Sequence, residues 1–127
     1  MRHPLRSALL AFAADAVLVV VFAAIGRASH HEDVLAGLFT TAWPFLVSLT
    51  VGWLIAQAWR APAAPVRTGL PVWAVTVAGG MLLRAVAGQG VVLAFVIVAS
   101  VVLLLLLVGW RVIARLVIRR RHAVGTA

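Results

Sequence analysis

The stretch SALLAFAADAVLVVVFAAIG, residues 7–26, holds twenty residues of which only Ser7 and Asp15 carry a polar side chain. A span of about 20 mostly apolar residues, rising about 1.5 Å per residue, matches the hydrocarbon core of a bilayer. In hydrocarbon the backbone must satisfy its own hydrogen bonds, so the segment reads as a transmembrane helix. Its one acid is costly there and is expected to face other helices instead of lipid.

Three further runs of similar character follow: 35–57, 69–87 and 90–110. Hydrophobic residues make up 65% of the 127-residue chain, charged residues 11%, and mean hydropathy is +1.14. A soluble core of this size cannot bury that much apolar surface. The joints are short. Residues 27–34 join the first pair, AWRAPAAPVRT (58–68) the second, and GQG (88–90) the third, which reads as a turn and not a nucleotide loop. Pro62 and Pro65 stop the helix in the second joint. Short joints between consecutive helices make antiparallel neighbours. The expected fold class is all-α: a single integral-membrane domain, residues 1–127, built as an antiparallel four-helix transmembrane bundle with a basic cytoplasmic tail at 111–127.

Arginine placement sets the expected orientation. With both termini cytoplasmic, nine arginines lie inside and two, Arg27 and Arg84, lie outside. The positive-inside rule favours that arrangement in a bacterial cytoplasmic membrane. Trp59, Trp73 and Trp110 then fall near the inner boundary, where indoles anchor. The tail RVIARLVIRRRH (111–122) is expected to continue as a helix at anionic lipid headgroups. Net charge +8 reflects these flanking arginines and not a nucleic-acid face. The first run is expected to be retained, not cleaved as a signal peptide, because Asp15 interrupts it and Arg27 follows.

Asp15 lies about 12 Å from the inner edge of its helix. Two readings stand side by side: a proton or cation site, and a structural ion pair. Arg84, about 22 Å up the third helix, is the expected partner, with a height gap of about 10 Å left for a water or a threonine to bridge. Its alternative is to snorkel to the outer surface. The second helix carries a small, polar stripe of Thr41, Phe45, Ser48 and Gly52, and the third carries Trp73, Thr76, Gly80 and Arg84. Gly79 and Gly80 allow close helix approach. Pro44 removes one donor from the second helix and displaces the Thr40 carbonyl. Asp15, Arg84, Thr41, Ser48 and Thr76 therefore form the candidate intramembrane polar site.

Arg27, His30 and His31 form a candidate outer-face cluster. Asp33 is placed to cap the second helix, and Glu32 complements the same N-terminus. The stretch HEDVL (31–35) opens like a zinc-protease helix and then fails, since Leu35 stands where a second histidine is needed. No metal site and no cofactor are expected, and the absence of cysteine excludes thiolate chemistry. With no nucleophile identifiable, the chain is not expected to be an enzyme. The leading functional expectation is small-solute or ion transport using Asp15 and Arg84, in a homo-oligomer because four helices enclose little space. The alternatives are a non-catalytic scaffold or accessory subunit, and a histidine-based metal-binding or sensor protein.

The segments running from Asp15 through FAAIGRASH (22–30), with TAWPFLVSLTVGW (41–53), GLPVW (69–73), GGMLLR (79–84) and LVGWR (107–111), resemble a domain-of-unknown-function family numbered 3054. It comprises small four-helix membrane proteins of actinobacteria and haloarchaea, and the resemblance covers roughly residues 11 to 112. It implies four spans in the bacterial inner membrane and supplies no activity. It draws attention to Asp15, Gly26, Arg27, His30, Trp43, Pro44, Phe45, Trp53, Gly80, Arg84, Trp110 and Arg111.

Overall fold

The computed structural model describes residues 4–29 and 33–126. Helix α1 runs Pro4–Ser29 and α2 Val34–Ala56. A single 3-10 turn, Ala58–Arg60, and a π-helical turn, Pro65–Gly69, lead into α3 at Leu70–Val86. Helices α4, Leu93–Leu107, and α5, Gly109–Thr126, complete the order. Among the described residues there is no strand, and four segments are long and apolar enough to cross a membrane: Pro4–Ala28, Leu35–Ala56, Pro65–Val86 and Leu93–Arg121.

The runs read from sequence are present with shifted ends. Asp33 caps α2, its carboxylate accepting from the backbone N–H groups of Leu35 (3.1 Å) and Ala36 (3.2 Å). That pairing supplies donors the first helical turn leaves without intrahelical partners. Gln57 closes α2 in the left-handed conformation (φ 50°), a place where glycine or asparagine is usual. The third joint is a turn as expected, with Gly88 and Gly90 at φ 74° and 83°. These positive φ values delay the start of α4 to Leu93.

The last helix departs most from expectation. Trp110 does not end it. Val108 interrupts the helix for one residue while staying near helical geometry (φ −85°, ψ −37°). Backbone bonds from Val108 N to Leu104 O and from Val112 N to Val108 O, both 3.0 Å, carry the chain across the break. The segment 111–127 therefore does not begin as a surface tail: Arg111 is fully buried.

Side-chain contacts fix the antiparallel order. Phe12 of α1 meets Trp53 near the end of α2 edge-on at 5.2 Å, while Phe22 meets Phe45 nearer its start, also at 5.2 Å. Such edge-to-face pairs add about 0.5–1.5 kcal/mol beyond the area they bury. Helices α2 and α3 are the most closely packed pair. A Cβ on Gly79 would strike the Ser48 hydroxyl, one on Gly80 would enter the Phe45 ring, and one on Gly52 would lie 3.3 Å from the Val72 carbonyl. The two small-residue stripes thus pack on each other, glycine opposite larger side chain, as close helix packing requires. Trp73 of α3 donates its indole N–H to the Ser100 carbonyl of α4 at 2.8 Å.

Large apolar side chains also cover the outside of every span. Val17, Leu54, Leu82 and Leu105 are each more than 60% exposed. In water so wide an apolar surface would aggregate; in lipid it is solvated.

Candidate functional site

Asp15 is completely buried in a helix long and apolar enough to cross a membrane. Four donors meet its carboxylate among the described residues. Arg111 binds it as a fork: Nη1 donates to Oδ1 at 2.9 Å and Nη2 to Oδ2 at 2.7 Å. The indole N–H of Trp110 donates to Oδ1 and that of Trp53 to Oδ2, both at 2.8 Å. A carboxylate has about four lone-pair sites. Every one is met.

Arg111 is equally well held. Its Nε donates to the Pro62 carbonyl at 2.8 Å and Nη1 to the Leu107 carbonyl at 2.8 Å. The side chain passes Gly69, where a Cβ would come within 3.3 Å of its Cδ. One ion pair therefore ties α1, α2, the end of α4, α5 and the 57–69 connection together. Thr68 stiffens that connection by donating its hydroxyl to the Ala61 carbonyl at 2.6 Å.

The expected pairing of Asp15 with Arg84 is corrected: the partner is Arg111. The reason lies in how helical side chains lean toward their own N-terminus. Asp15 leans toward the end of the bundle where α2 finishes. Trp53, Trp110 and Arg111 sit near that end and lean back toward the middle. Donors and acceptor converge, and no bridging water or threonine is required.

Arg84 sits at the other end, two residues before α3 finishes. It donates from Nε to the Gly90 carbonyl (3.3 Å) and from Nη1 to Gln89 Oε1 (3.2 Å). Its guanidinium lies over the Phe95 ring, 4.4 Å from the centroid. A cation there also complements the negative end of the helix. Gln89 reaches across to α2 and donates to the Thr40 carbonyl at 3.1 Å. That carbonyl lost its helical donor because Pro44 has no N–H. The proline's effect was legible in the sequence; the glutamine that answers it was not.

Arg27 stands nearby. It donates from Nε to the Asp33 carbonyl (2.8 Å) and from Nη1 to the Thr41 hydroxyl (3.2 Å). Arg27, Thr41, Arg84 and Gln89 line one cavity of about 630 Å³. Its remaining walls are apolar, chiefly Phe22, Phe95, Val98 and Val102. The volume falls within the range of about 300–1,000 Å³ usual for ligand sites.

The proposed intramembrane set therefore divides. Asp15 belongs to one end, and Arg84 and Thr41 to the other. Ser48 is buried in the packing face against Gly79. Thr76 is fully buried, and its hydroxyl has no hydrogen-bond partner among the described residues. Of the outer-face cluster, Arg27 lines the cavity, while His30 and His31 lie outside the described residues. No group of three His, Cys, Asp or Glu side chains is placed to hold a metal among the described residues.

Residues not read as partners from spacing were Trp53, Trp110, Arg111, Gln89 and Phe95. A signal existed for three of them. Asp15 is the only acid inside an apolar run, so buried indole and guanidinium donors had one charged acceptor available.

No curated protein and no solved structure matches the chain. A family profile does match, over residues 12–114, a span that includes Asp15, Trp53, Arg84, Trp110 and Arg111. The chain belongs to the family described as proteins of unknown function, DUF3054.

Proposed function

We propose that this protein is a small multi-pass membrane protein, with both termini cytoplasmic, that binds an anionic solute and moves it within or across the membrane. The site in this reading is the cavity of Arg27 and Arg84, and Asp15 is a structural clamp. One observation carries it: Arg27 of α1 and Arg84 of α3 line a single cavity whose other walls are mostly apolar. Convergent cationic groups in a largely apolar, concave site favour an anion, because weak solvent screening strengthens their pull. The saturated carboxylate of Asp15, by contrast, has no lone pair left for a travelling cation.

The test is a panel of anions, namely inorganic phosphate, acetate and decanoate, added to the purified full chain. A binder raises the melting midpoint by mass action. The expected result is a shift for at least one anion that disappears in Arg27→Gln with Arg84→Gln. That anion should then cross or redistribute in liposomes holding the native chain and not the double variant. No shift with any anion, or a shift that survives both substitutions, rejects the reading.

A second reading, a non-catalytic scaffold or accessory subunit, is favoured by the completeness of the Asp15 clamp. It predicts co-purification with a larger complex and no anion-dependent shift. In either reading the exposed Arg115, Arg119, Arg120 and Arg121 of α5 meet anionic headgroups.

A further inference from the structure

The end of the bundle that holds the Asp15 clamp carries charge that nothing in the fold answers. Arg60 and Arg67 of the 57–69 connection and Arg115, Arg119, Arg120 and Arg121 of α5 are all exposed. None of them makes a hydrogen bond or an ion pair among the described residues. The one acid placed at this end among the described residues, Asp15, is already neutralised by Arg111. Of the other two acids in the sequence, Asp33 caps the opposite end of α2 and Glu32 precedes it in the chain.

Two segments share this end and are fixed to each other. Arg111, in the first turn of α5, donates to the Pro62 carbonyl, and the π-helical turn Pro65–Gly69 packs on α5. Arg67 lies in that turn, and Arg115 follows Arg111 by one turn of helix. The clamp therefore sets the connection and the base of α5 as a single surface.

That surface is not purely charged. Trp59 and Val66 stand exposed beside Arg60 and Arg67, and Ile113, Leu116 and Val117 stand exposed among the arginines of α5. The segment Leu93–Arg121 has 29 residues, about 43 Å of helix against about 30 Å of hydrocarbon. Its arginine-rich end thus reaches past the acyl core into the headgroup layer. A nucleic acid or an acidic soluble protein would answer the arginines and leave the apolar groups in water. The headgroup layer answers both, because phosphates meet the guanidinium groups and the methylenes just beneath meet the apolar side chains. Arginine side chains are long enough to reach from one to the other.

We propose that the 57–69 connection and α5 together form a docking surface for anionic phospholipid headgroups, held in one piece by the Arg111 clamp. The protein gathers anionic lipid around this end. The surface extends the α5 contact named above to a second segment, and it is independent of the cavity at the other end, where Arg27 and Arg84 lie.

The test uses the full chain in detergent. Dioleoyl phosphatidylglycerol, dioleoyl phosphatidylcholine and polyglutamate are titrated separately and followed by native mass spectrometry. Phosphatidylglycerol is expected to bind about tenfold more tightly than phosphatidylcholine, whose headgroup carries no net charge. The preference should shrink as ammonium acetate is raised. Arg60→Gln with Arg67→Gln should cut it several-fold, since one cation near an anionic surface is worth about fivefold. Arg119→Gln with Arg120→Gln should do the same. Both pairs should leave the lipid-free melting midpoint unchanged, and Arg27→Gln with Arg84→Gln should leave the preference intact.

Equal binding of the two lipids by the native chain overturns the proposal. A preference untouched by Arg60→Gln with Arg67→Gln overturns the joint surface and leaves α5 acting alone. Loss of the preference in Arg27→Gln with Arg84→Gln overturns it too, by moving the lipid to the cavity. Polyglutamate binding as tightly as phosphatidylglycerol would make the partner an acidic soluble chain and reject the lipid.

Discussion

Arg111 and Arg84 are arginines of one small bundle, each set in an apolar helix, and they live under opposite conditions. Arg111 is sealed from solvent and forked onto a carboxylate that accepts two further indole donors. Arg84 lines an open cavity and is seated on a carbonyl, an amide and an aromatic face. The closed end has no vacant polar site on its acid. The open end has volume and an apolar wall. A charge set in an apolar span therefore does not by itself mark a working site: a saturated pair such as Asp15 and Arg111 locks the fold.

Breaking the closed end should have the largest effect. Asp15→Asn or Arg111→Met leaves a buried, uncompensated group and should cost about 3–5 kcal/mol in detergent unfolding measurements. The double variant Asp15→Leu with Arg111→Met should recover the part of that loss due to the unpaired charge, and not the part due to the Trp53 and Trp110 indoles, which lose their acceptor with Asp15→Leu. If Arg84→Met restored Asp15→Leu and Arg111→Met did not, the assignment of partners would be wrong.

Trp53→Phe probes a single arm of the clamp. The ring still packs against Phe12, but the hydrogen bond to Oδ2 is lost. A loss of about 1.5–3 kcal/mol is expected for a bond to a charged acceptor. A midpoint unchanged from the native chain would mean that this indole contributes packing alone.

The open end should be far more tolerant. Asp33→Ala removes the α2 cap and should lower stability by about 1 kcal/mol. Asp33→Asn or Asp33→Ser should recover most of it in the same melting experiment. Arg84→Gln should lower stability by about 1 kcal/mol, because at a partly exposed position it loses the cation–π contact and the hydrogen bonds to Gly90 and Gln89. Its effect should appear in anion binding instead. A large stability loss from Arg84→Gln would erase the contrast between the two ends.

Much of this architecture was readable from the residues. Apolar runs of bilayer length, three short joints and turn-forming glycines at 88 and 90 led to four spans, and the structure has four segments of that kind. That Asp15 faces inward followed from its cost in lipid. The packing stripes on α2 and α3 were visible in the i, i+3 and i, i+4 spacing of small residues. The end of the last span was misread because Arg111 was taken to mark the edge of the hydrocarbon. A charged residue marks that edge only if nothing inside can neutralise it, and here Asp15 can.

The cavity escaped a linear reading for a different reason. Its polar wall combines the last turns of α1 and α3, the second turn of α2 and a glutamine from the 87–92 turn, and none of these has a spacing that announces the others. Gln89 looked like a turn residue and nothing more. Its role depends on Pro44, forty-five positions away in the sequence.

Sequence alone determined that this chain is helical, apolar enough for lipid, and obliged to turn its one intramembrane acid inward. Those properties are sums of local terms: transfer free energy per residue, helix rise and turn preference. Only the tertiary structure decided which arginine answers that acid and which is left to line a cavity. That choice depends on how far each helix is rotated and shifted along its axis relative to its neighbours, and small offsets there move a guanidinium past one partner and onto another.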